Sequence, residues 1–326
     1  MKRNFLEVLA CPSCEGALNI SVTEECDGEI LKGDLICSCG KQYAIVRGIP
    51  RFVPSENYAN SFGYQWNRFR LEQIDSLNQT NLSTERFFNE TSWNLEFLKD
   101  KWILDAGCGA GRFLEVACRS EANVIGIDLS NAVDAAQETL KCHANLHLVQ
   151  GSILNLPIKK EILDAIYCIG VIQHTPEPLQ VFPSFSRVLK REGRLAVTIY
   201  EKKRWTLLNG KYLARMLLKK VPRPLLLTIL KRTMPVLFPI TDVLFRLPLL
   251  GKVAQFAIPV ANYIDNKKLT RQQRYQWAIM DTFDMLAPVF DQPQTEKNVC
   301  GALVATNFIG IKRLPNDGLN IVGIKS

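Results

Sequence analysis

Between residues 102 and 200, apolar runs of strand length alternate with longer segments whose apolar positions recur at helical spacing. The pattern predicts strands over 102–105, 123–128, 145–149, 164–169 and 193–200, with helices around 112–120, 131–141 and 178–190. Such alternation means an α/β fold, a doubly wound parallel sheet with helices on both faces. The closing stretch FIGIKRLPNDGLNIVGIKS alternates on either side of Pro315-Asn316-Asp317-Gly318, which predicts an antiparallel hairpin at the end of that sheet. Before it, residues 201–300 lose the pattern and form a helical insertion. Residues 55–100 are richer in Asn, Ser and Glu, and their aromatics Phe62, Trp66 and Phe69 fall at helical spacing, so two short helices are expected there as a lid. The expected division is a ribbon over 1–54, the lid over 55–100, the α/β domain over 101–200 and 301–326, and the insertion over 201–300.

The first strand of the alternation ends at Asp105 and runs into Gly107-Cys108-Gly109-Ala110-Gly111, a turn without bulky side chains where a ligand can approach the backbone. A helix starting near Arg112 directs its free N–H groups and positive dipole end at the same place. The second strand ends at Asp128, positioned to accept hydrogen bonds from both hydroxyls of a ribose, each charge-assisted bond contributing about 1.5–3 kcal/mol. The three features describe a nucleoside-cofactor site. A dinucleotide fingerprint would need a third glycine where Arg112 stands, which argues against NAD.

The D-x-G-x-G-x-G form, followed by GSILNLPI at 151–158 and LDAIYCIGVIQHTPEP at 163–178, resembles the class I S-adenosylmethionine-dependent methyltransferases over about residues 100–200. The resemblance implies the Rossmann-like, seven-stranded sheet of that family and S-adenosylmethionine as cofactor. It puts Asp105, Gly107 and Gly109 around the methionyl part, Asp128 on the ribose, and Ser152 and Ile153 at the adenine edge. Many relatives carry Asp where this chain has Ser152. Segments similar to the lid in related sequences give Gln65, Trp66 and Arg86 a role at the cofactor's amino-acid end; packing and a solvated charge are the alternative.

Ten cysteines in a chain of 326 residues are expected to be reduced in a cytoplasmic protein. The start MKRNFLEVLAC has basic residues ahead of Cys11, but its apolar run, Phe5–Ala10, is broken by Glu7 and too short for an export core of about 7–15 residues. Cys11 and Cys14 form one pair and Cys37 and Cys39 another, and two thiolate pairs on tight turns can close a tetrahedral zinc site. Structural zinc supplies about 10–16 kcal/mol to small domains that lack an apolar core. LEVLACPSCEGAL and ICSCGKQYAIVRGIPRFV resemble the zinc ribbon of tRNA-methyltransferase activator subunits. The C-x-C spacing of the second pair departs from C-x-x-C and leaves a metal-free remnant as the alternative.

Charge is unevenly placed. Residues 1–200 hold 20 Lys and Arg against 24 Asp and Glu, whereas 201–326 hold 20 against 8, for a net charge of +8. Residues 202–252 alone carry 12 basic residues and one acidic, Asp242, among many leucines and prolines. Prolines interrupt the apolar runs, so short Leu-rich helices are expected and a spanning helix is not. Basic residues beside such helices suit peripheral contact with an anionic membrane at its inner face; a cap domain with a solvated charged face is the other reading.

His174 is the one candidate general base in the core, since an imidazole can take a hydroxyl proton near neutral pH, and a helix-capping role is its alternative. His143 and His147 read as structural or exposed. Asp281 and Asp284 share a helical face and could orient a polyhydroxy substrate or cap a helix. The leading expectation is methyl transfer to oxygen of a small-molecule, glycan or lipid-linked acceptor. Ribosomal guanine methyltransferases also join a zinc ribbon to this fold, so RNA methylation is the alternative. Only Tyr212, Phe238 and Phe245 lie in 206–250, few aromatics for stacking on bases, and nucleic acid is the less favoured partner. A binding module with a vestigial pocket is the third reading, and the oligomeric state stays open.

Overall fold

The computed structural model describes residues 1–54 and 56–326; Ser55, first residue of the expected lid, lies outside the described residues. The strands are β1 (Leu18–Cys26), β2 (Glu29–Cys37), β3 (Gln42–Val46), β4 (Ile49–Pro50), β5 (Trp102–Ala106), β6 (Asn123–Asp128), β7 (Leu146–Gln150), β8 (Leu163–Ile169), β9 (Leu189–Ile199), β10 (Phe308–Arg313) and β11 (Leu319–Lys325). The α-helices are α1 (Asn60–Arg68), α2 (Asp75–Asn78), α3 (Leu82–Thr91), α4 (Leu95–Leu98), α5 (Arg112–Cys118), α6 (Ala132–Leu140), α7 (Val181–Val188), α8 (Gly210–Leu218), α9 (Arg223–Leu244), α10 (Leu250–Ala257), α11 (Arg271–Leu286) and α12 (Glu296–Ala305).

The main sheet runs β10-β11-β9-β8-β5-β6-β7, parallel from β9 to β7 and antiparallel where β11 inserts between β9 and β10. Its central strands are buried on both faces, as Ile103, Leu104, Ile125 and Ile166 show. The chain leaves β5 toward β6 on one side and returns as β8 on the other, so the order reverses between β5 and β8. The carboxyl ends at such a reversal open a crevice, and Gly107–Gly111, Asp128 and Gly170–His174 all sit at those ends.

The ribbon is a separate antiparallel sheet in the order β1-β2-β3-β4. It closes the β7 edge of the main sheet: Arg51 bridges to Gln150 in parallel, and the Phe52 amide donates to the Gln150 carbonyl at 2.8 Å. The Arg51 guanidinium grips Asp134 of α6 at 2.7 Å, and Phe5 stacks on His147 with ring centroids 4.5 Å apart. Burial lowers His147 to about 4, which keeps this ring neutral under the ribbon.

The expectation of short helices broken by prolines is corrected by α9, which runs 22 residues through Pro235 and Pro239. Each proline removes one i→i−4 bond, but the carbonyls left over belong to Lys231 and Pro235, exposed residues where water can serve as donor. Among the described residues α9 is the one helix long and apolar enough to cross a membrane by length and composition, and 33% of that window is buried. Its inner stripe, Leu226, Leu227, Leu230, Met234 and Phe238, packs with Trp277, Met280 and Phe283 of α11 in one apolar cluster. The insertion thus has its own core and roofs the crevice. Four helices, α1 to α4, rather than two, occupy the lid segment.

Candidate active site

The glycine turn after β5 is held tightly. Gly107 has φ +98°, and a Cβ there would stand 2.5 Å from the Val171 side chain, so the turn and the loop after β8 meet with no room for a larger residue. Gly109, at φ +52°, lies under the lid: a Cβ would come 3.0 Å from Nε1 of Trp66. The Gly109 amide donates to Asp128 Oδ2 at 3.0 Å, while the Ser130 amide and hydroxyl donate to Oδ1 at 2.8 and 2.6 Å. With two lone pairs on each carboxylate oxygen, one acceptor position remains unless Ser130 turns away. Burial raises the Asp128 pKa, against the pull of those donors.

Asp105 lies behind the turn, 2% exposed, outside the cavity wall, and its Oδ2 has no hydrogen-bond partner. Burial, then the charge of Asp128, pushes its pKa well above the carboxylate range. Ser152 also stands outside the wall, its hydroxyl accepting from the Leu154 amide at 3.2 Å, whereas Ile153 lines it.

The cavity above the turn measures about 570 Å³ and is walled by Tyr58, Phe62 and Trp66 from the lid side, His174 and Tyr200 from the sheet, and Trp277, Asp281 and Asp284 from α11. His174 is 6% exposed; its Nδ1 lies 2.9 Å from the Phe290 carbonyl, between the rings of Phe62 and Tyr200. A carbonyl only accepts, so Nδ1 carries the proton and Nε2 keeps the free lone pair. Burial lowers the His174 pKa, and Asp284 and Asp291 only partly counter it. Asp281 and Asp284 are open to the cavity but shielded from bulk water. Burial, then Asp284, raises Asp281 to about 7 in spite of Arg112 and Arg86, and the Tyr263 hydroxyl donates to its Oδ2. Burial likewise raises Asp284, against the charges of His174 and Lys211.

Arg86 lines the cavity and pairs with Glu90 at 2.7 Å; the other Glu90 oxygen accepts from Thr198 at 2.6 Å. Gln65 is buried next to Asp284. Other groups gave no sequence signal. Arg112 donates to the Ser83 hydroxyl at 2.9 Å and lies over the rings of Phe113 and Trp277, and burial pulls it down to about 9. Lys211, one of the 12 basic residues of 202–252, turns inward to Asp291 at 2.6 Å, and Arg215 donates to the Met285 and Pro288 carbonyls. Basic residues are common on surfaces, and only the partners far along the chain mark these as interior.

In the ribbon the sulfurs of Cys11, Cys14, Cys37 and Cys39 all lie within 4.8 Å of one another, a set that can hold zinc despite the C-x-C spacing. Burial disfavours the Cys11 thiolate, yet the Tyr43 hydroxyl and the Ser13 and Cys14 amides outweigh it and lower its pKa. The Gly16 amide favours the Cys14 thiolate, but the Cys37 and Cys39 sulfurs push its pKa up. Four adjacent thiols cannot all ionise unaided, and a divalent cation removes that conflict.

Residues 104–197 match a family described as methyltransferase domain. The sheet order and the glycine turn agree with this match, which covers the parallel part of the main sheet from β5 to β9. Among curated relatives, the ubiquinone biosynthesis O-methyltransferase of Pectobacterium atrosepticum is 26% identical over 40% of this chain and 56% of its own length. The protein of the same name from Haemophilus ducreyi is 29% identical over 40% of this chain and 61% of its own. This chain thus spans less than two thirds of either relative. A solved S-adenosylmethionine-dependent methyltransferase from Aquifex aeolicus is 12% identical, covers 83% of this chain and 100% of its own, and has a TM-score of 0.43.

Proposed function

We propose that the chain transfers the methyl group of S-adenosylmethionine to an oxygen of a small-molecule or lipid-linked acceptor, with His174 as general base. The observation that carries this reading is the Nδ1 contact with the Phe290 carbonyl, which leaves Nε2 of a cavity-lining histidine able to take a proton. The cofactor supplies an activated methyl on a positively charged sulfur. The chain has to position a nucleophilic oxygen in line, about 3–3.5 Å from it, and exclude water. Asp128 holds a ribose hydroxyl at its remaining acceptor position, Ile153 lies against the adenine, and the turn at Gly107 and Gly109 leaves space for the methionyl part.

Asp281, Asp284 and the Tyr263 hydroxyl are the polar groups that orient an acceptor bearing hydroxyls. Trp66 and Trp277 close the space and keep it dry. The relatives named as O-methyltransferases support oxygen as the acceptor atom. The test is incubation with methyl-labelled S-adenosylmethionine against lipid, glycan, small-molecule and RNA fractions. Label is expected outside the RNA and lost with His174→Ala; label in RNA alone overturns the reading.

A further inference from the structure

The outer surface of the insertion is unlike the rest of the molecule. Of the 25 large hydrophobic side chains exposed among the described residues, 16 fall between Trp205 and Phe256. They are ordered into stripes. On α9 and the turn after it, Leu225, Ile229, Val236, Ile240, Val243 and Leu247 follow helical spacing on the side away from the stripe that packs against α11. On α8 the stripe is Leu213, Met216 and Leu217, and on α10 it is Leu250, Val253 and Phe256, with Leu249 just before the helix. Helix α10 packs against both α8 and α9 and so links the three stripes.

Each stripe contains an exposed cation at the same spacing: Lys220 after Leu217, Arg232 between Ile229 and Val236, and Lys252 between Leu249 and Phe256. Lys202, Lys203, Arg204, Lys219, Lys231 and Arg246 are also exposed around them. We propose that this face docks the chain on an anionic membrane, the helices lying in the headgroup layer with their apolar stripes inserted and their cations on lipid phosphates.

Charge decides among the occupants. A face that paired with a second copy would be expected to lack lysine, which protein interfaces deplete. An RNA surface would want aromatic side chains for stacking, and Trp205 and Phe256 are the only aromatics among the 16. A spanning α9 would place Lys231 and Arg232 in hydrocarbon and strip its inner stripe from α11. A helix lying in the interface keeps both, and cations scattered among leucines are what that position favours. The inner stripe of α9 packs on α11, and α11 presents Trp277, Asp281 and Asp284 to the cavity. The inference rests on surface chemistry and holds whichever atom is methylated.

Co-sedimentation tests it, comparing vesicles of pure phosphatidylcholine with vesicles one third phosphatidylglycerol across a salt series. Binding to the anionic vesicles alone, released by salt, is expected, and this comparison needs no variant. The triple variant Lys220→Glu, Arg232→Glu, Lys252→Glu should lower partition by about tenfold or more. The variant Leu217→Ser, Val243→Ser, Leu249→Ser should lower it too, at unchanged charge. Both should keep wild-type affinity for S-adenosylhomocysteine, which separates docking from failure to fold and from failure of the proposed reaction. Equal binding to both vesicle types, or anionic binding untouched by either variant, overturns the proposal. So does self-association or tight binding to structured RNA without any binding to vesicles.

Discussion

His174 and Phe290 are separated by 116 positions and joined by a 2.9 Å bond from imidazole Nδ1 to a backbone carbonyl. The bond ties the loop after β8 to the segment following α11, so the ring proposed as general base depends on where the insertion returns to the sheet. Replacing His174 with Ala should lower turnover about 10²–10⁴-fold while leaving cofactor affinity intact, as read by single-turnover kinetics and calorimetry. Turnover unchanged in the variant would remove the general base.

Because burial lowers the pKa of this ring, the unfolded chain binds a proton at His174 more readily than the folded one. Its contribution to stability is complete above the unfolded value of about 6.5 and declines as pH falls through the lowered folded value. Thermal unfolding of the wild type should therefore lose stability below that pH more steeply than the variant His174→Gln does.

Asp281 works in the opposite direction. Its folded pKa, about 7, lies above the ordinary 3.8, so its buried charge costs stability progressively between those values and fully above them. Asp281→Asn should be more stable than the wild type at pH 8 and close to it at pH 4, with weaker acceptor binding. Denaturant midpoints at the two pH values check this.

Asp128→Ala should weaken S-adenosylhomocysteine binding at least about tenfold, or about 1.4 kcal/mol. Ser130→Ala should weaken it less or strengthen it, because Ser130 donates to the oxygen that a second ribose hydroxyl would use. Calorimetry on the pair checks both, and equal affinity for wild type and Asp128→Ala would remove the ribose assignment.

Protein purified without chelator should carry one zinc per chain, lost in Cys11→Ser together with the order of the ribbon. Elemental analysis and amide exchange over 1–54 give the answer. A full complement of protection without metal would mean that the cysteines pack as a remnant.

The main sheet was legible because its determinants are local. Strand-length apolar runs, a glycine turn and aspartates at two strand ends are each read within a dozen residues. The cysteine cluster was legible for its spacing, although only the folded chain brings Cys39 to Cys11, with sulfurs 3.7 Å apart. The insertion was read poorly. Prolines normally end helices, and nothing local says that the carbonyls Pro235 and Pro239 release lie on the wet side of α9. Lys211 counted among the surface charges of 202–252 because its partner Asp291 lies 80 positions on, and Arg112 read only as a helix start because its partner Ser83 lies on α3.

The ribbon's seat on β7 has a consequence for solubility. An uncovered strand offers unpaired amides and carbonyls to any other extended chain, and β7 holds Leu146, Leu148 and Val149 beside its backbone edge. The opposite edge, β10, is interrupted by an irregularity between Ile309 and Lys312 with Gly310 at φ +58°, which discourages pairing there. The β7 edge has the ribbon instead. With zinc held by the four cysteines, stripping it is expected to do more than loosen an appendage: it should free an aggregation-prone edge, so that metal-starved chains precipitate.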